Sequence, residues 1–247
     1  MTTNTTPPIP MDALRTLPTP ELGMLLLERL GKETRFLPQN ITAEARIAFK
    51  GESDEADLLD RVCEAWAWVE SKALVSQVGT KTSDFRRVTT DGRKLVADPS
   101  ALVRLAAADR LAGPMHPALE GHVRTNFHLG QYEIACFAAM KEVEVAVRDT
   151  AGLGHSEIGV NLMRTAFKPH NNGAGGGPLA DAGAEGGEQV AMAALFAGAI
   201  GVFKNPTSHR TVTFDDPMEA AEVIQLADLL LRLVEKAKVR EIKTENE

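Results

Sequence analysis

The sequence has few of the residues that build covalent or metal cross-links. Only two of its 247 residues are cysteines, Cys63 and Cys136, and each lies far from the other inside a helical pattern. This excludes a disulfide framework and predicts two buried apolar thiols. The six histidines are scattered and no CxxC or HExxH motif occurs, so we expect neither a metal nor a cofactor.

The chain also lacks a positive net charge and long apolar runs. Its formal net charge of −7 excludes a general attraction to nucleic acid, so any RNA contact needs a local basic patch. Apolar runs are far shorter than the roughly 18 residues of a membrane span, and no signal-peptide pattern is present. We therefore expect a cytoplasmic protein without membrane contact. Its hydrophobic content of 44% is sufficient for a core.

The N-terminal half predicts short mixed elements. Prolines among threonines predict a disordered lead-in over residues 1–18. Helical periodicity follows over 19–31 and 54–72, with an irregular stretch and a short helix at 43–49 between them. Residues 74–78 and 85–88 read as two short strands of a hairpin. A helix followed by a hairpin resembles a winged helix, at low specificity, and would make 19–113 a winged-helix-like α+β module.

Charge distinguishes the two parts of this module. The helix over 54–72 carries six carboxylates against two cations, a net charge of −4 that would repel phosphates. The hairpin and the residues after it are basic, with Lys81, Arg86, Arg87, Arg93 and Lys94. A contact between hairpin and nucleic acid and a merely solvated basic hairpin both stay open. The favoured role for the module is protein contact or sensing.

Longer helical periods begin after the Gly113–Pro117 break and predict an all-α domain over 114–240. We expect a helical region over 119–150 that is kinked near Gly130, and further helices over 156–167, 188–203 and 216–239. The buried stripe of the long region is Tyr132, Ala135, Cys136, Ala139, Val143 and Val147.

Two stretches of this domain have alternative interpretations. The charged residues beside the stripe are predicted to form a solvated face; they are Lys141, Glu142, Glu144, Arg148 and Asp149. The alternative places Glu144 or Arg148 near a functional groove. The glycine-rich stretch 168–187 reads as a flexible exposed insert. It is not a phosphate-binding loop, since no Gly-Lys-Ser/Thr follows.

The stretch 195–210 starts as apolar helix and ends in a polar cluster. Within six residues lie Lys204, Asn205 and His209, which are a fixed cation, an amide and a group that titrates near neutral pH. A cation can stabilise an anionic transition state and an imidazole can move the proton of an attacking hydroxyl, so the cluster suits phosphodiester cleavage. The alternative is a helix C-terminus whose cations only complement the last carbonyls.

The pattern Lys204-Asn205-x-x-x-His209 resembles the Arg-polar-x(3–5)-His signature of the HEPN superfamily. These are small all-α domains, many of them metal-independent ribonucleases of toxin and phage-defence systems. The block Gly159-x-x-Leu-Met-x-x-Ala-Phe167, the glycine-rich insert, the stretch 195–210 and the final amphipathic helix are together similar to the phage- and defence-associated Ymh-like family. The resemblance covers residues 115–237. Lys204 stands where the signature usually has Arg. This replacement keeps the positive charge but loses the bidentate fork of the guanidinium.

The resemblance implies a metal-independent endoribonuclease that acts in phage defence or a toxin-like system and leaves 2′,3′-cyclic phosphate ends. His209, Lys204 and Asn205 would be catalytic, and Ser208 and Arg210 would bind the RNA. It also implies a homodimer in which the two motifs face each other, and the wide apolar face of 217–237 supports this independently. An operon-encoded protein partner is a further expectation. The alternative is a non-catalytic HEPN-type nucleic-acid or protein-binding regulatory module of a defence or prophage operon. A DNA-binding regulator comes third.

Overall fold

The computed structural model describes residues 7–79, 83–98, 100–170, 175–204 and 214–245, with side chains as far as residue 239. The protein is mainly helical, as the sequence predicts, and its described strands form one two-stranded sheet. Contacts divide the chain into two compact units, Met1–Leu102 and Val103–Glu247. The division falls ahead of the predicted break at 113. Ala107 and Leu111 accordingly belong to the core of the second unit.

Helices and a small hairpin make up the first unit. In chain order they are α1 Met11–Thr16, α2 Thr19–Leu30, α3 Pro38–Ala48, α4 Glu55–Ser71, β1 Val75–Gln77, β2 Arg86–Val88 and α5 Thr90–Val96. The strands pair antiparallel, with Val75 opposite Val88. Helices α2 and α4 pack closely because Gly23 carries no side chain. A Cβ there would lie 2.2 Å from Cε3 of Trp68.

Two expectations for this unit are corrected. Residues 7–18 are not a disordered lead-in, since they form α1 and bury Ile9 and Leu14 in the core. Burial of these two side chains offsets the entropy lost on ordering the segment. Arg15 further ties α1 down through ion pairs with Glu52 and Asp54. The short helix expected at 43–49 is the longer α3, which starts at Pro38, a favourable first residue for a helix.

The second unit is all-helical over its described residues. Its helices are α6 Ala101–Arg110, α7 Pro117–Glu120, α8 His122–His128, α9 Tyr132–Thr150, α10 Gly159–Ala166, α11 Gly186–Ala199 and α12 Pro217–Glu245. The first residues of α6 precede the division between the units. The π-helical turn Ile200–Lys204 follows α11. The kink expected near Gly130 is a full break between α8 and α9. Gly130 has φ +75°, a conformation that ends a helix and that glycine adopts without strain.

Helices α9 and α12 form the centre of this unit. The predicted stripe on α9 is confirmed, because its members other than the partly buried Tyr132 are fully buried. The apolar face of α12 is buried as well, through Val223, Ile224, Ala227, Leu230, Leu231 and Val234. The wide face of 217–237 is therefore filled by the chain's own core. Its burial gives no support for a dimer through this face.

The glycine-rich insert, which the structure describes over 168–170 and 175–187, is exposed at residues such as Gly175, Gly186 and Gly187, but part of it packs on α10. Leu179 is buried, and its N–H donates to the carbonyl of Ala166 at 2.8 Å. The N–H of Gly177 donates to the carbonyl of Lys168 at 2.7 Å. A Cβ at Gly177 would lie 2.3 Å from the carbonyl oxygen of Thr165, so only glycine fits there. Gly177 thus allows the insert to pack closely on α10.

The two cysteines differ in environment. Cys136 is fully buried as expected, and burial raises the pKa of its thiol to about 12. Cys63 is exposed on α4, so the expectation of a buried thiol is corrected there. Its position beside the buried Val62 places it just outside the apolar stripe of that helix.

Candidate functional site

Lys204 is the one residue of the predicted site that the structure describes. Asn205, Ser208, His209 and Arg210 lie outside the described residues, in the stretch 205–213. The geometry of the candidate site is therefore built outward from Lys204.

A π-helical turn sets the position of Lys204. Helix α11 ends at Ala199, and the next five residues, Ile200–Lys204, continue as π-helix. Ile200 is fully buried and Phe203 packs against the core, which fixes the turn on the unit. The wider π-turn changes the direction of the side chains that follow it, and such turns occur often at functional sites. Here the Lys204 side chain is turned inward and is only 16% exposed.

The ammonium of Lys204 meets a buried carboxylate of α9. Its Nζ lies 2.8 Å from Oε2 of Glu144, whose side chain is 7% exposed. The N–H of Gly159, at the start of α10, donates to the same oxygen at 2.8 Å. Glu144 therefore connects α9, the first residue of α10 and the end of the π-turn.

Arg148 occupies the other oxygen of this carboxylate. Its Nη2 donates to Oε1 of Glu144 at 2.8 Å, one helical turn along α9. Its Nε donates to the carbonyl of Glu157 at 3.1 Å, which holds the connection before α10 in place. We refer to Glu144, Arg148 and Lys204 as the ion cluster.

The electrostatics of the ion cluster keep Glu144 ionised. Burial by itself raises the pKa of this carboxyl, but hydrogen bonds from Lys204, Gly159 and Arg148 and the charge of Lys204 outweigh burial. The pKa of Glu144 therefore lies below its ordinary value of 4.5. Both cations of the ion cluster pair with this one carboxylate. A cation in a poorly hydrated place attracts an anion more strongly than the same charge in water.

Sequence reasoning assigned Glu144 to a solvated face, and this is corrected, because Glu144 is 5% exposed as a residue. Glu144 contacts Lys204 directly and Arg148 contacts Glu144, while the alternative that placed Glu144 or Arg148 beside the predicted groove stays a prediction. One signal in the sequence could have identified Glu144 as a buried residue. Glu144 lies four residues after the buried Met140 and next to the buried Val143, so it belongs to the inward arc of α9.

An apolar cavity lies elsewhere in the unit. It measures about 470 Å³, and its walls include Phe167, Leu179, Met192 and Leu195, with the carboxylates of Asp181 and Glu188 also lining it. No member of the ion cluster lines this cavity. Among the described residues no group of three or more His, Cys, Asp or Glu side chains could hold a metal ion. We therefore centre the candidate site on the ion cluster.

Comparison with known proteins gives one match. The family model named Hypoth_Ymh, described as a protein of unknown function, matches residues 114–234. This part of the chain is Ymh-like. The Ymh-like segment includes all three members of the ion cluster and the predicted Lys-Asn-x-x-x-His pattern. No curated protein and no solved structure matches the chain.

Proposed function

We propose that the protein is a metal-independent endoribonuclease of HEPN type, acting in phage defence or a toxin-like system. The observation that supports this most is the position of Lys204. A cation of the Lys-Asn-x-x-x-His pattern lies in a largely buried ion cluster, at the end of a π-turn. Ion clusters that are largely buried are costly to a fold, and perturbed carboxylates of this kind are often found at functional sites.

In this proposal the reacting nucleophile is the RNA 2′-hydroxyl. His209 takes its proton, the 2′-oxygen forms a bond to phosphorus, and the bond from phosphorus to the 5′-oxygen breaks. The leaving 5′-oxygen receives the proton that His209 took, so the products are a 2′,3′-cyclic phosphate and a 5′-hydroxyl. Lys204 holds the phosphate, Asn205 orients His209 or a phosphate oxygen, and Ser208 and Arg210 bind the RNA. DNA lacks the attacking hydroxyl and would not be cut.

The ion cluster adds a reason for Lys at this position. Oε1 of Glu144 is taken by Arg148, and Oε2 already accepts from Gly159. One hydrogen bond to Oε2 therefore remains for Lys204, and a compact ammonium makes it. A guanidinium fork would have to share Oε1 with Arg148. The replacement of Arg by Lys is then compatible with catalysis in this chain.

One observation favours a second candidate function. Glu144 balances part of the positive charge of Lys204, which weakens any contact between Lys204 and a phosphate. A non-catalytic HEPN-type module that binds nucleic acid or an operon-encoded protein would tolerate this. In either case the first unit would act as a winged-helix-like module, for which the order α4, β1, β2 gives support.

The deciding experiment is RNA cleavage with EDTA present. Wild type, His209→Ala and a matched control, His128→Ala at the end of α8, are incubated with mixed RNA and with DNA of the same sequence. General acid–base catalysis contributes about 10²–10⁴-fold, so His209→Ala should lose at least about a hundredfold in rate while His128→Ala keeps it. RNA ends should carry cyclic phosphate. Cleavage that requires added Mg²⁺, or that survives in His209→Ala, would leave the binding module as the proposal.

A further inference from the structure

The cavity between the glycine-rich insert and α11 has the size of a small-molecule site. Its volume is about 470 Å³, and its walls are mostly apolar, through Phe167, Leu179, Met192 and Leu195. Sites for small molecules typically measure roughly 300–1,000 Å³ and have such walls. Phe167 and Leu179 are buried at its inner side, while Ala191 and Leu195 are exposed at its outer side. The cavity is therefore open to a ligand from solvent. We call it the insert cavity.

Helix α11 supplies one wall of the insert cavity. The segment Gly186–Lys204 is, among the described residues, long and apolar enough to cross a membrane, with a mean hydropathy of 1.4, and 22% of its 18-residue window is buried. Phe196 and Ile200 of this segment lie in the unit's own core and would have to leave it to enter a bilayer. Met192 and Leu195 line the cavity instead. The cavity thus accounts for part of the apolar character of α11.

Ring stacking and hydrogen bonds hold these walls in place. Phe167 stacks on Phe196, with ring centroids 4.2 Å apart. Gln189 lines the cavity and is 7% exposed. Its Oε1 accepts from the N–H of His170 at 2.7 Å, and its Nε2 donates to the carbonyl of Ala184 at 2.9 Å. Walls that are fixed before a ligand arrives reduce the entropy cost of binding.

The charged side chains of the insert cavity have one sign. Asp181 and Glu188 line it, and the described lining residues include no lysine, arginine or histidine. Asp181 is partly buried, and its Oδ1 accepts from the N–H of Gly183 at 3.0 Å, which fixes the direction of the carboxylate. Glu188 is exposed at the outer side. Gln189 adds an amide oxygen that can accept a second hydrogen bond. The polar part of the wall therefore complements a positively charged hydrogen-bond donor.

We infer that the insert cavity binds a small organic cation, which is an amine with an apolar body. The body lies against Phe167, Leu179 and Met192, and the ammonium pairs with Asp181. A carboxylate in a partly buried place binds an ammonium more strongly than one in water. The turn that Asp181 forms with Gly183 does not explain the charge, because asparagine forms the same kind of turn. This inference stands without the proposed ribonuclease activity.

Binding of phenylbutylamine to the purified chain tests the inference. Isothermal titration calorimetry compares this amine with phenylbutanol and phenylbutyrate, which attach a neutral and a negative group to the same apolar body. The amine should bind at one site per chain. The alcohol should bind at least about tenfold more weakly because it forms no charge-assisted hydrogen bond, and the anion should not bind. An amine that does not bind, or that binds no more tightly than the alcohol or the anion, would overturn the inference.

A charge variant tests the partner of the ammonium. Asp181→Asn keeps an acceptor for the N–H of Gly183 but loses the negative charge, so it should weaken amine binding at least about tenfold. Binding of phenylbutanol should stay unchanged, since the apolar walls are the same. Asp149→Asn, at an exposed carboxylate of α9, is the matched control and should bind the amine as wild type does. Equal amine affinity of the two variants would contradict the pairing with Asp181.

A second pair of variants locates the bound amine. Ala191 and Ala194 are both exposed on α11, but only Ala191 lines the insert cavity. Ala191→Trp should fill the cavity from its outer side and abolish binding, whereas Ala194→Trp should bind as wild type does. Circular dichroism checks that both variants are folded, and Asp181→Asn decides the outcome if Ala191→Trp is not. Amine binding that persists in a folded Ala191→Trp would place the ligand elsewhere and overturn the inference.

Discussion

The ion cluster shows how one buried carboxylate organises several elements. Glu144 accepts three hydrogen bonds, from Arg148, Gly159 and Lys204, each at 2.8 Å. Its loss would leave two cations largely buried without their shared anion. Removal of one partner of a buried ion pair costs about 3–5 kcal/mol, far more than an exposed pair contributes.

Glu144→Gln should therefore lower the free energy of unfolding by about 3 kcal/mol at neutral pH. The control is Asp149→Asn, an exposed carboxylate on the same helix, which should change it by less than about 0.5 kcal/mol. Urea denaturation followed by circular dichroism measures both. Equal stability of the two variants would contradict the structural role of Glu144.

Glu144→Gln should also change how the free energy of unfolding depends on pH. The pKa of Glu144 is depressed in the folded state, so its stabilisation is present above its ordinary value of 4.5 and is lost as the pH falls through the lower folded value. The difference in unfolding free energy between wild type and Glu144→Gln should shrink below about pH 4.5. Other carboxyls with lowered pKa values, such as Asp54 and Asp228, are common to both proteins and cancel. A difference that stays constant down to pH 3 would rule this out.

Lys204→Arg tests the shape of the site at a single residue. A guanidinium that binds Glu144 bidentately would have to share Oε1 with Arg148 and Oε2 with Gly159, at a position that is 16% exposed and now holds a slimmer side chain. For the proposed ribonuclease activity we expect a fall of at least about tenfold, equivalent to about 1.4 kcal/mol in the transition state. Arg148→Lys is the companion variant that keeps the cluster's charge. Activity that rises in Lys204→Arg would mean that the fork binds phosphate rather than Glu144.

At the scale of an element, the glycine-rich insert shows how a glycine allows two backbone segments to pack closely. The backbone of Gly177 lies against the carbonyls of Thr165 and Ala166, and Gln189 fixes both ends of this region. Its Oε1 accepts from the N–H of His170 at 2.7 Å and its Nε2 donates to the carbonyl of Ala184 at 2.9 Å. The insert is thereby attached to α10 and α11 at several points.

Gly177→Ala should consequently loosen the insert. Its Cβ would lie 2.3 Å and 2.4 Å from two backbone oxygens, which cannot move aside as a flexible side chain would. Overpacking of this kind costs about 1–3 kcal/mol. Gly175→Ala is the control, because nothing lies within 4 Å of its Cβ. Limited proteolysis should cleave the Gly177 variant faster within the insert, and equal cleavage of both variants would contradict the packing described.

At the scale of the whole molecule, two separate cores predict two separable unfolding transitions. Both tryptophans, Trp66 and Trp68, lie in α4 of the first unit, so tryptophan fluorescence reports that unit alone. Gly23→Ala introduces a Cβ 2.2 Å from Trp68 and should lower the fluorescence midpoint in urea. Glu144→Gln should instead shift the circular dichroism transition and leave fluorescence unchanged. A shift of both signals by either variant would show that the units unfold together.

The sequence by itself determined the helical class, the stripe of α9 and the identity of the Ymh-like segment. Periodicity and ordered local blocks carry that information, and neither depends on distant residues. The winged-helix and HEPN assignments, with the roles of Asn205, Ser208, His209 and Arg210, remain predictions. Ile9 and Leu14 illustrate the limit of composition, since two apolar side chains order a segment that its prolines mark as disordered.

Only the tertiary structure decided which polar residues face inward and which apolar ones face outward. Glu144 and Lys204 are 60 residues apart, and their contact depends on how α9 and the π-turn pack. The apolar face of α12 and that of α11 look alike in sequence, yet the first is buried in the core and the second is exposed. Local patterns state that a face is apolar, but the packing of the other helices determines whether this chain covers it.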